Sequence, residues 1–240
     1  MLELSNGVVN AIDLELVEAL ARSIDSARED PEITSVVLAT ASDKFFSIGF
    51  DVPELLRLDR SGMTEFVSAF DDLCLSLFAL PKPTVAAVTA HAIAGGCILA
   101  LCCDYRMVSC GRCLMGLNEV RLGVPLPLLA QLVLGSVVGD RRARDVAYFG
   151  DLYEPEELLR LGIADAVLEP ERILEESMEK ARSLGSLPRE AFTGIKEARV
   201  DRVEREFAEG RDRTRERFLD CWFSDETRSR LEEAAAKFTR

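Results

Sequence analysis

The chain changes character at about residue 170. Before that point, short runs of β-branched and apolar residues alternate with stretches of helical periodicity; after it, charges recur at helical spacing with no further strand pattern. Strands are predicted at residues 1–5, 35–41, 84–88, 105–109 and 163–168, and helices at 13–28, 63–80, 128–138, 141–149 and 154–161. Because alternating strands and helices favour a mostly parallel sheet, the sequence predicts an α/β core over residues 1–170 and a helical region over 171–240.

The charge balance excludes some classes of partner. The chain has 240 residues, of which 48% are hydrophobic, and a formal net charge of −13. A field of that sign repels nucleic-acid phosphates and acidic membrane surfaces, so neither is an expected partner. No run of about 18 apolar residues occurs, so no membrane span is expected.

The cysteines favour a reducing compartment. The chain has 7 cysteines, an odd number, and several lie inside apolar runs. Cys110 and Cys113 form a CxxC pair, but no second pair has zinc-site spacing and His91 is the only histidine. We therefore expect no metal site and, with no signal-peptide pattern at the start, a cytoplasmic location.

Two adjacent glycines, Gly95 and Gly96, precede a segment over residues 97–103 that is too apolar for a surface helix. Glycine lets the backbone approach a ligand closely, and the first turn of a helix has free N–H donors. This segment could hold a developing oxyanion. The same pattern fits a tight turn packed beneath a buried helix.

A second candidate segment, residues 46–51, reads Phe-Ser-Ile-Gly-Phe-Asp and follows strand-like residues. Its glycine gives the backbone the freedom to present a second N–H donor. The same sequence pattern is also typical of a β-bulge or a simple turn.

Glu119 is the only acidic residue between Asp104 and Asp140, and apolar residues surround it in the sequence. A carboxylate in apolar surroundings has a raised pKa, which suits a general base near neutral pH. Two alternatives remain at this stage: a solvated glutamate at a turn, or a salt bridge to Arg121.

Together these segments, in this order and spacing, resemble the crotonase (enoyl-CoA hydratase/isomerase) family. The resemblance runs from about Leu4 to Phe238 and includes Asn10, the strand at 82–88 and the segment at 156–168. It implies a β/α spiral core with a C-terminal helical region. It also implies a homotrimer or dimer of trimers, a role in fatty-acid metabolism such as β-oxidation, and a CoA thioester as substrate with no further cofactor.

The resemblance also assigns residues. It implies that the backbone N–H groups of Phe50 and Gly95 form an oxyanion hole and that Glu119 is the catalytic acid and base. The implied substrate-binding residues, with Lys44 placed near the CoA phosphates, are Lys44, Ser47, Ile48, Gly49, Asp51 and Ile98.

One position at which the chain differs from the hydratases of the family limits the reactions that are expected. Hydratases of the family carry two glutamates, and the position of the first is Ile98 here, whereas the second matches Glu119. Hydration must hold a water and move its protons, whereas a double-bond shift needs only one base. The sequence therefore predicts a Δ3,Δ2-enoyl-CoA isomerase. The alternatives are hydration, thioester hydrolysis or decarboxylation of an acyl-CoA, or a protein of this fold that binds without catalysis.

Both ends of the chain carry expectations. Residues 171–240 are predicted to serve trimerisation and to cover the CoA, and Phe218, Trp222 and Phe223 to pack against the core or a neighbouring subunit. Family members usually begin with a strand before the one predicted at residues 1–5. Either the start was assigned late or this chain lacks that edge strand.

Overall fold

The structure, a computed structural model, describes residues 1–236. Its strands are β1 (Leu2–Leu4), β2 (Ala11–Ile12), β3 (Val36–Thr40), β4 (Phe45–Ser47), β5 (Gly49–Phe50), β6 (Thr84–Val88), β7 (His91–Ile93), β8 (Tyr105–Ser109), β9 (Met115–Gly116), β10 (Leu152–Tyr153) and β11 (Ala166–Leu168). Its helices are α1 (Leu14–Glu29), α2 (Val52–Leu55), α3 (Arg60–Phe78), α4 (Gly95–Leu101), α5 (Glu119–Leu122), α6 (Leu128–Val138), α7 (Asp140–Phe149), α8 (Pro155–Leu161), α9 (Pro170–Gly185), α10 (Arg189–Trp222) and α11 (Asp225–Ala236).

The chain winds between two sheets. A five-stranded parallel sheet has the order β1-β3-β6-β8-β11, and a four-stranded sheet has the order β10-β9-β7-β4. Three times in succession the chain leaves the first sheet and enters the second, from β3 to β4, from β6 to β7 and from β8 to β9. This repeated turn is a β/α spiral, so the predicted α/β core is confirmed.

The alternation of side chains along the central strands explains how the layers pack. In β3, Val36 and Leu38 face the main core, whereas Val37 and Ala39 face a second apolar cluster. The second cluster is completed by α9, because Ile173 is fully buried there. Since successive strand residues point to opposite faces, a strand that is apolar throughout must be covered on both sides.

Most predicted boundaries hold to within a few residues. Asp13 caps α1 as predicted, because its Oδ1 accepts a hydrogen bond from the Leu16 N–H at 2.7 Å. The predicted strand at 163–168 is wrong at its start. The N–H groups of Ile163 and Ala164 both donate to the carbonyl of Leu158 at the end of α8, so the strand begins only at Ala166.

The described part of the region after residue 170, which ends at residue 236, consists of helices α9, α10 and α11 joined by short turns; the last four residues of the predicted 171–240 region lie outside it. Its 34-residue helix α10 is tied to the core through Asp104, which accepts from Lys196 Nζ at 2.7 Å and from the Thr84 N–H at 2.9 Å. No helix in residues 1–236 is both long and apolar enough to cross a membrane.

Candidate active site

A largely apolar cavity of about 380 Å³ lies where the two candidate loops, α5 and the C-terminal helices meet. Its lining residues are Val9, Ala11, Ile48, Phe50, Asp51, Val52, Pro53, Ile93, Ala94, Gly95, Ile98, Asn118, Glu119, Leu122, Val124, Pro127, Leu152, Phe218, Trp222, Leu231, Ala234 and Ala235. A concave apolar site with a few polar groups is the usual form of a small-molecule pocket.

Buried hydrogen bonds fix the loop that leads to Phe50. Asn10 is fully buried with a positive φ of 46°, and its Nδ2 donates to Thr40 Oγ1 at 2.7 Å and to the Phe46 carbonyl at 3.1 Å. Ser47 Oγ donates to the Asn10 carbonyl at 2.7 Å and accepts from the Gly49 N–H at 3.1 Å. The loop conformation is therefore set before any ligand binds.

The two glycine-containing segments pack directly against each other. A Cβ on Gly49, whose φ is +94°, would lie 3.0 Å from Ala94 Cβ and 3.1 Å from Gly95 N. A Cβ on Gly96 would lie only 2.4 Å from the Ser47 carbonyl oxygen. Glycine is therefore required for the loop and the start of α4 to meet.

The backbone at the start of α4 is strained. Ala94, which precedes the helix, has φ 49° and ψ −119°, a conformation that residues with a side chain rarely adopt. The first hydrogen bond of the helix runs from the Ile98 N–H to the Ala94 carbonyl, so the N–H of Gly95 precedes the helical ladder. Strain of this kind persists where the surrounding structure holds a functional group in place.

Phe50 lies beside this helix start. Its ring would contact a Cβ on Gly95 at 3.2 Å, and it packs edge-on against Phe66 and Phe70 of α3 with ring centroids 4.8 and 4.9 Å away. The two residues assigned to the oxyanion hole are thus neighbours in one wall of the cavity.

Glu119 is the first residue of α5 and is only 7% exposed. Burial raises the pKa of its carboxyl group to about 7, although its own backbone N–H partly offsets that effect. Its Oε2 is buried and has no hydrogen-bond partner in the described part of the chain. Both alternative interpretations are therefore wrong: Glu119 is not solvated, and Arg121 pairs with Asp151 instead.

The other predicted site residues fall into two groups. Ile48, Asp51 and Ile98 line the cavity, and Ile98 is 2% exposed on α4, three residues beyond Gly95. Asp51 also caps α2, because its Oδ1 accepts from the Glu54 N–H at 3.0 Å.

The second group does not line the cavity. Ser47 and Gly49 are joined by a hydrogen bond that fixes the loop conformation, and Lys44 is exposed and does not belong to the lining. Ser47 is fully buried, so its side chain serves the loop itself.

The C-terminal helices form one wall of the cavity. The sequence predicted that this region covers the CoA, but it assigned none of the region's residues to the site. Phe218 and Trp222 of α10 stack with ring centroids 5.9 Å apart and line the cavity, together with Leu231 of α11. The aromatic pair was expected to be buried, which is confirmed. Its place at the cavity depends on the path of α10, for which the sequence has no local signal.

The CxxC residues lie apart from this cavity. Cys113 is buried, and Cys110 Sγ donates to Glu169 Oε2 at 3.2 Å. Within residues 1–236, no group of three or more His, Cys, Asp or Glu side chains is placed to hold a metal ion.

Comparisons with known proteins agree with this architecture. A family model described as enoyl-CoA hydratase/isomerase matches residues 1–238. Enoyl-CoA delta isomerase 1, mitochondrial, of Mus musculus is 30% identical over 185 residues, which cover 77% of this chain and 63% of the mouse protein. Crotonyl-CoA hydratase of Syntrophomonas wolfei is 28% identical over 168 residues, covering 70% of this chain and 64% of that protein. The chain thus matches less than two thirds of either relative's length.

A solved structure extends the likeness to nearly the whole chain. Human mitochondrial delta3-delta2-enoyl-CoA isomerase has a TM-score of 0.93 and 26% sequence identity, covering 98% of this chain and 91% of the human chain. Isomerases and hydratases both occur among the relatives. The protein therefore has a crotonase fold and belongs to the enoyl-CoA hydratase/isomerase family of enzymes.

Proposed function

We propose that this enzyme is an enoyl-CoA isomerase that moves the double bond of a 3-enoyl-CoA to the 2-position. The observation that carries the proposal is that, among the cavity-lining residues within 1–236, Glu119 has the one carboxylate that is not used as a helix cap, with the apolar Ile98 where a hydratase would carry a second glutamate. Asp51 also lines the cavity, but its carboxylate caps α2.

In the proposed reaction, the Glu119 carboxylate removes a proton from C2 of the substrate. The electron pair of that C–H bond forms a C1–C2 double bond, and the thioester oxygen becomes an enolate oxyanion. The N–H groups of Gly95 and Phe50 stabilise that charge; losing one such donor typically costs about 3–4 kcal/mol. The electron pair of the C3–C4 double bond then takes the proton from Glu119 at C4. The C1–C2 pair of the enolate becomes the C2–C3 double bond, and the oxyanion re-forms the thioester carbonyl.

The surroundings of Glu119 suit both halves of this cycle. A base that must first accept and then donate a proton works best when its pKa is near the working pH, and burial raises that of Glu119 to about 7. Buried Ile98 keeps the neighbouring space apolar, which disfavours a water positioned for attack. The apolar space at Ile98 favours isomerisation over hydration, whereas the raised pKa of Glu119 suits proton transfer in either reaction.

We also propose that the CoA thioester is the substrate and that no further cofactor takes part. The apolar cavity suits an acyl chain. Lys44 is exposed and carries the charge that a CoA phosphate would need on a chain with a net charge of −13. The cytoplasmic location stays a prediction.

The experiment that tests the reaction uses two substrates and two variants. Purified protein receives a trans-3-enoyl-CoA or a trans-2-enoyl-CoA, and Glu119→Gln is compared with Glu18→Gln, an exposed control on α1. We expect the 3-enoyl substrate to become the 2-enoyl product, with no 3-hydroxyacyl-CoA. The Glu119 variant should lose about 10²–10⁴-fold in rate, whereas the control keeps the wild-type rate.

Two results would reject the isomerase assignment. Rapid formation of 3-hydroxyacyl-CoA from the 2-enoyl substrate would establish a hydratase, in which Asp51 or another group activates water. No turnover of either substrate, with CoA binding retained, would favour another acyl-CoA reaction or a binding role.

We further propose a homotrimer or dimer of trimers. The supporting observation is a group of large apolar side chains that are exposed on the described single chain near the end of α7: Val120, Tyr148, Phe149 and Leu152. Exposed apolar groups of this size are typical of surfaces that another chain covers.

A further inference from the structure

Helix α11 contacts both walls of the cavity. Thr227 Oγ1 donates to the Gly123 carbonyl at 3.0 Å, next to the helix that carries Glu119. Arg228 Nη2 donates to the Leu56 carbonyl at 2.9 Å, just after α2 on the opposite side. The C-terminal helix therefore bridges the base and the loop that follows Phe50.

The helix that carries the base needs such external support. α5 has only 4 residues, and Asn118 before it forms no side-chain capping bond. A helix this short is not stable by itself, so its orientation depends on the contacts that it makes with other parts of the chain. On its outer side, Arg121 Nε donates to the Phe149 carbonyl at 2.9 Å, but that arginine is exposed.

Gly123 connects the inner support to Glu119. Gly123 ends α5 with φ 88°, and its N–H donates back to the carbonyls of Glu119 and Val120. Its own carbonyl accepts from Thr227, so one residue joins the hydroxyl to the backbone of the base.

The fit at this contact is close. A Cβ on Gly123 would lie 2.7 Å from Thr227 Oγ1, so only glycine leaves room for the hydroxyl. Thr227 is 3% exposed, and a hydrogen bond shielded from water resists exchange with solvent.

We propose that Thr227 is a positioning residue that holds α5, and with it the Glu119 carboxylate, in line with the reacting carbons. The proposal rests on the proposed function for its kinetic consequence, because Glu119 must be the base. Without the hydroxyl, the Gly123 carbonyl loses its buried hydrogen-bond donor, and α5 is held less firmly. The Glu119 carboxylate is then displaced from the position in which it can reach both C2 and C4 of the substrate.

The test compares three variants. Thr227→Val replaces the hydroxyl with a methyl group of similar size, and Thr227→Ser keeps the hydroxyl. Thr193→Val is the matched control, because Thr193 Oγ1 also joins the C-terminal region to the core, donating to the Pro81 carbonyl at 3.1 Å, but that carbonyl does not line the cavity. Steady-state kinetics with a trans-3-enoyl-CoA give kcat and KM for each.

We expect Thr227→Val to lower kcat about tenfold or more while KM changes less than twofold, because misplacement of a catalytic group affects the chemical step. Thr227→Ser should keep kcat within about twofold of the wild type, and Thr193→Val should leave both constants unchanged. Three results would overturn the proposal. They are an unchanged kcat in Thr227→Val, an equal loss of kcat in Thr193→Val, and a kcat for Thr227→Ser as low as that of Thr227→Val.

Hydrogen–deuterium exchange provides a readout that needs no substrate. The amides of Gly123 and Val124 are bonded within α5, to the carbonyls of Val120 and Glu119, and should exchange faster in Thr227→Val but not in Thr193→Val. If the wild type does not shift the double bond of the substrate, the isomerase assignment fails. Faster amide exchange in Thr227→Val would still support the proposal that Thr227 holds α5 in place. Unchanged exchange at these amides rejects it, whatever the reaction.

Discussion

Glu119 combines two properties at one residue: it lies in an apolar cavity, and its Oε2 has no partner in the described chain. Burial raises the pKa of its carboxyl group from 4.5 to about 7, and only the ionised form can remove a proton from C2. We therefore expect kcat/KM to rise about tenfold per pH unit below pH 7 and to level off above it. A pH–rate profile measures this.

The control for that profile is the same measurement with a saturated acyl-CoA as a competitive inhibitor, whose binding needs no proton transfer. Its affinity should vary much less over the same range. A break near pH 4–5 in kcat/KM would contradict the prediction, because kcat/KM reports the free enzyme and such a break would mean that the carboxylate is solvated there.

At this scale, the sequence was informative where burial follows from neighbours along the chain. Glu119 stands among apolar residues, so its raised pKa could be predicted. The roles of Ser47 and Asn10 could not, because their hydrogen bond joins residues 37 positions apart. The position of Lys44 outside the cavity lining likewise depends on three-dimensional placement.

At the scale of elements, the close approach of α4 to the preceding loop makes Gly96 sensitive to substitution. A Cβ there would lie 2.4 Å from the backbone oxygen of Ser47, whereas a Cβ on Gly194 in α10 has no neighbour within 4 Å. We expect Gly96→Ala to destabilise the fold by about 1–3 kcal/mol through overpacking and to lower activity. Gly194→Ala should stabilise it by about 0.5–1 kcal/mol, since alanine favours the helix.

Urea unfolding of the two variants beside the wild type measures both effects. The same change in composition is made at each site, so the difference isolates the local environment. Equal effects at the two positions would show that the contact between α4 and the loop is loose, and the preorganisation of the Gly95 N–H would then lose its support.

The elements themselves could largely be predicted, because strands such as β6 and helices such as α1 have clear local patterns. The error at residues 163 and 164 arose because the end of α8 takes the N–H groups that a strand would have used, whereas the Asp165 N–H already donates to Arg106 of β8. That the C-terminal region covers the site could be expected, but the residues of α11 that make the contacts could not be predicted. Its contacts with Gly123 and Leu56 link positions 104 and 172 residues apart.

At the scale of the whole molecule, the net charge opposes assembly of several chains, whereas the exposed apolar surface favours it. A net charge of −13 makes copies of the chain repel one another, so a stable assembly needs an apolar interface. Tyr148 and Phe149 are 74% and 64% exposed at the end of α7, beside the exposed Val120 of α5. The group includes a residue of α5, the helix that carries Glu119, and the end of α7 packs against that helix.

We therefore expect the wild type to be a trimer or a multiple of it by light scattering. The double variant Tyr148→Ser/Phe149→Ser should shift it towards single chains, because a specific interface depends on a few buried aromatic anchors. Ile195→Ser is the control, since Ile195 is 78% exposed on α10, away from this group. A monomeric wild type would contradict the assembly, and an unchanged double variant would place the interface on another surface.

If the assembly forms through this surface, its loss should also lower kcat, because α5 would lose support on its outer side while Thr227 still holds the inner one.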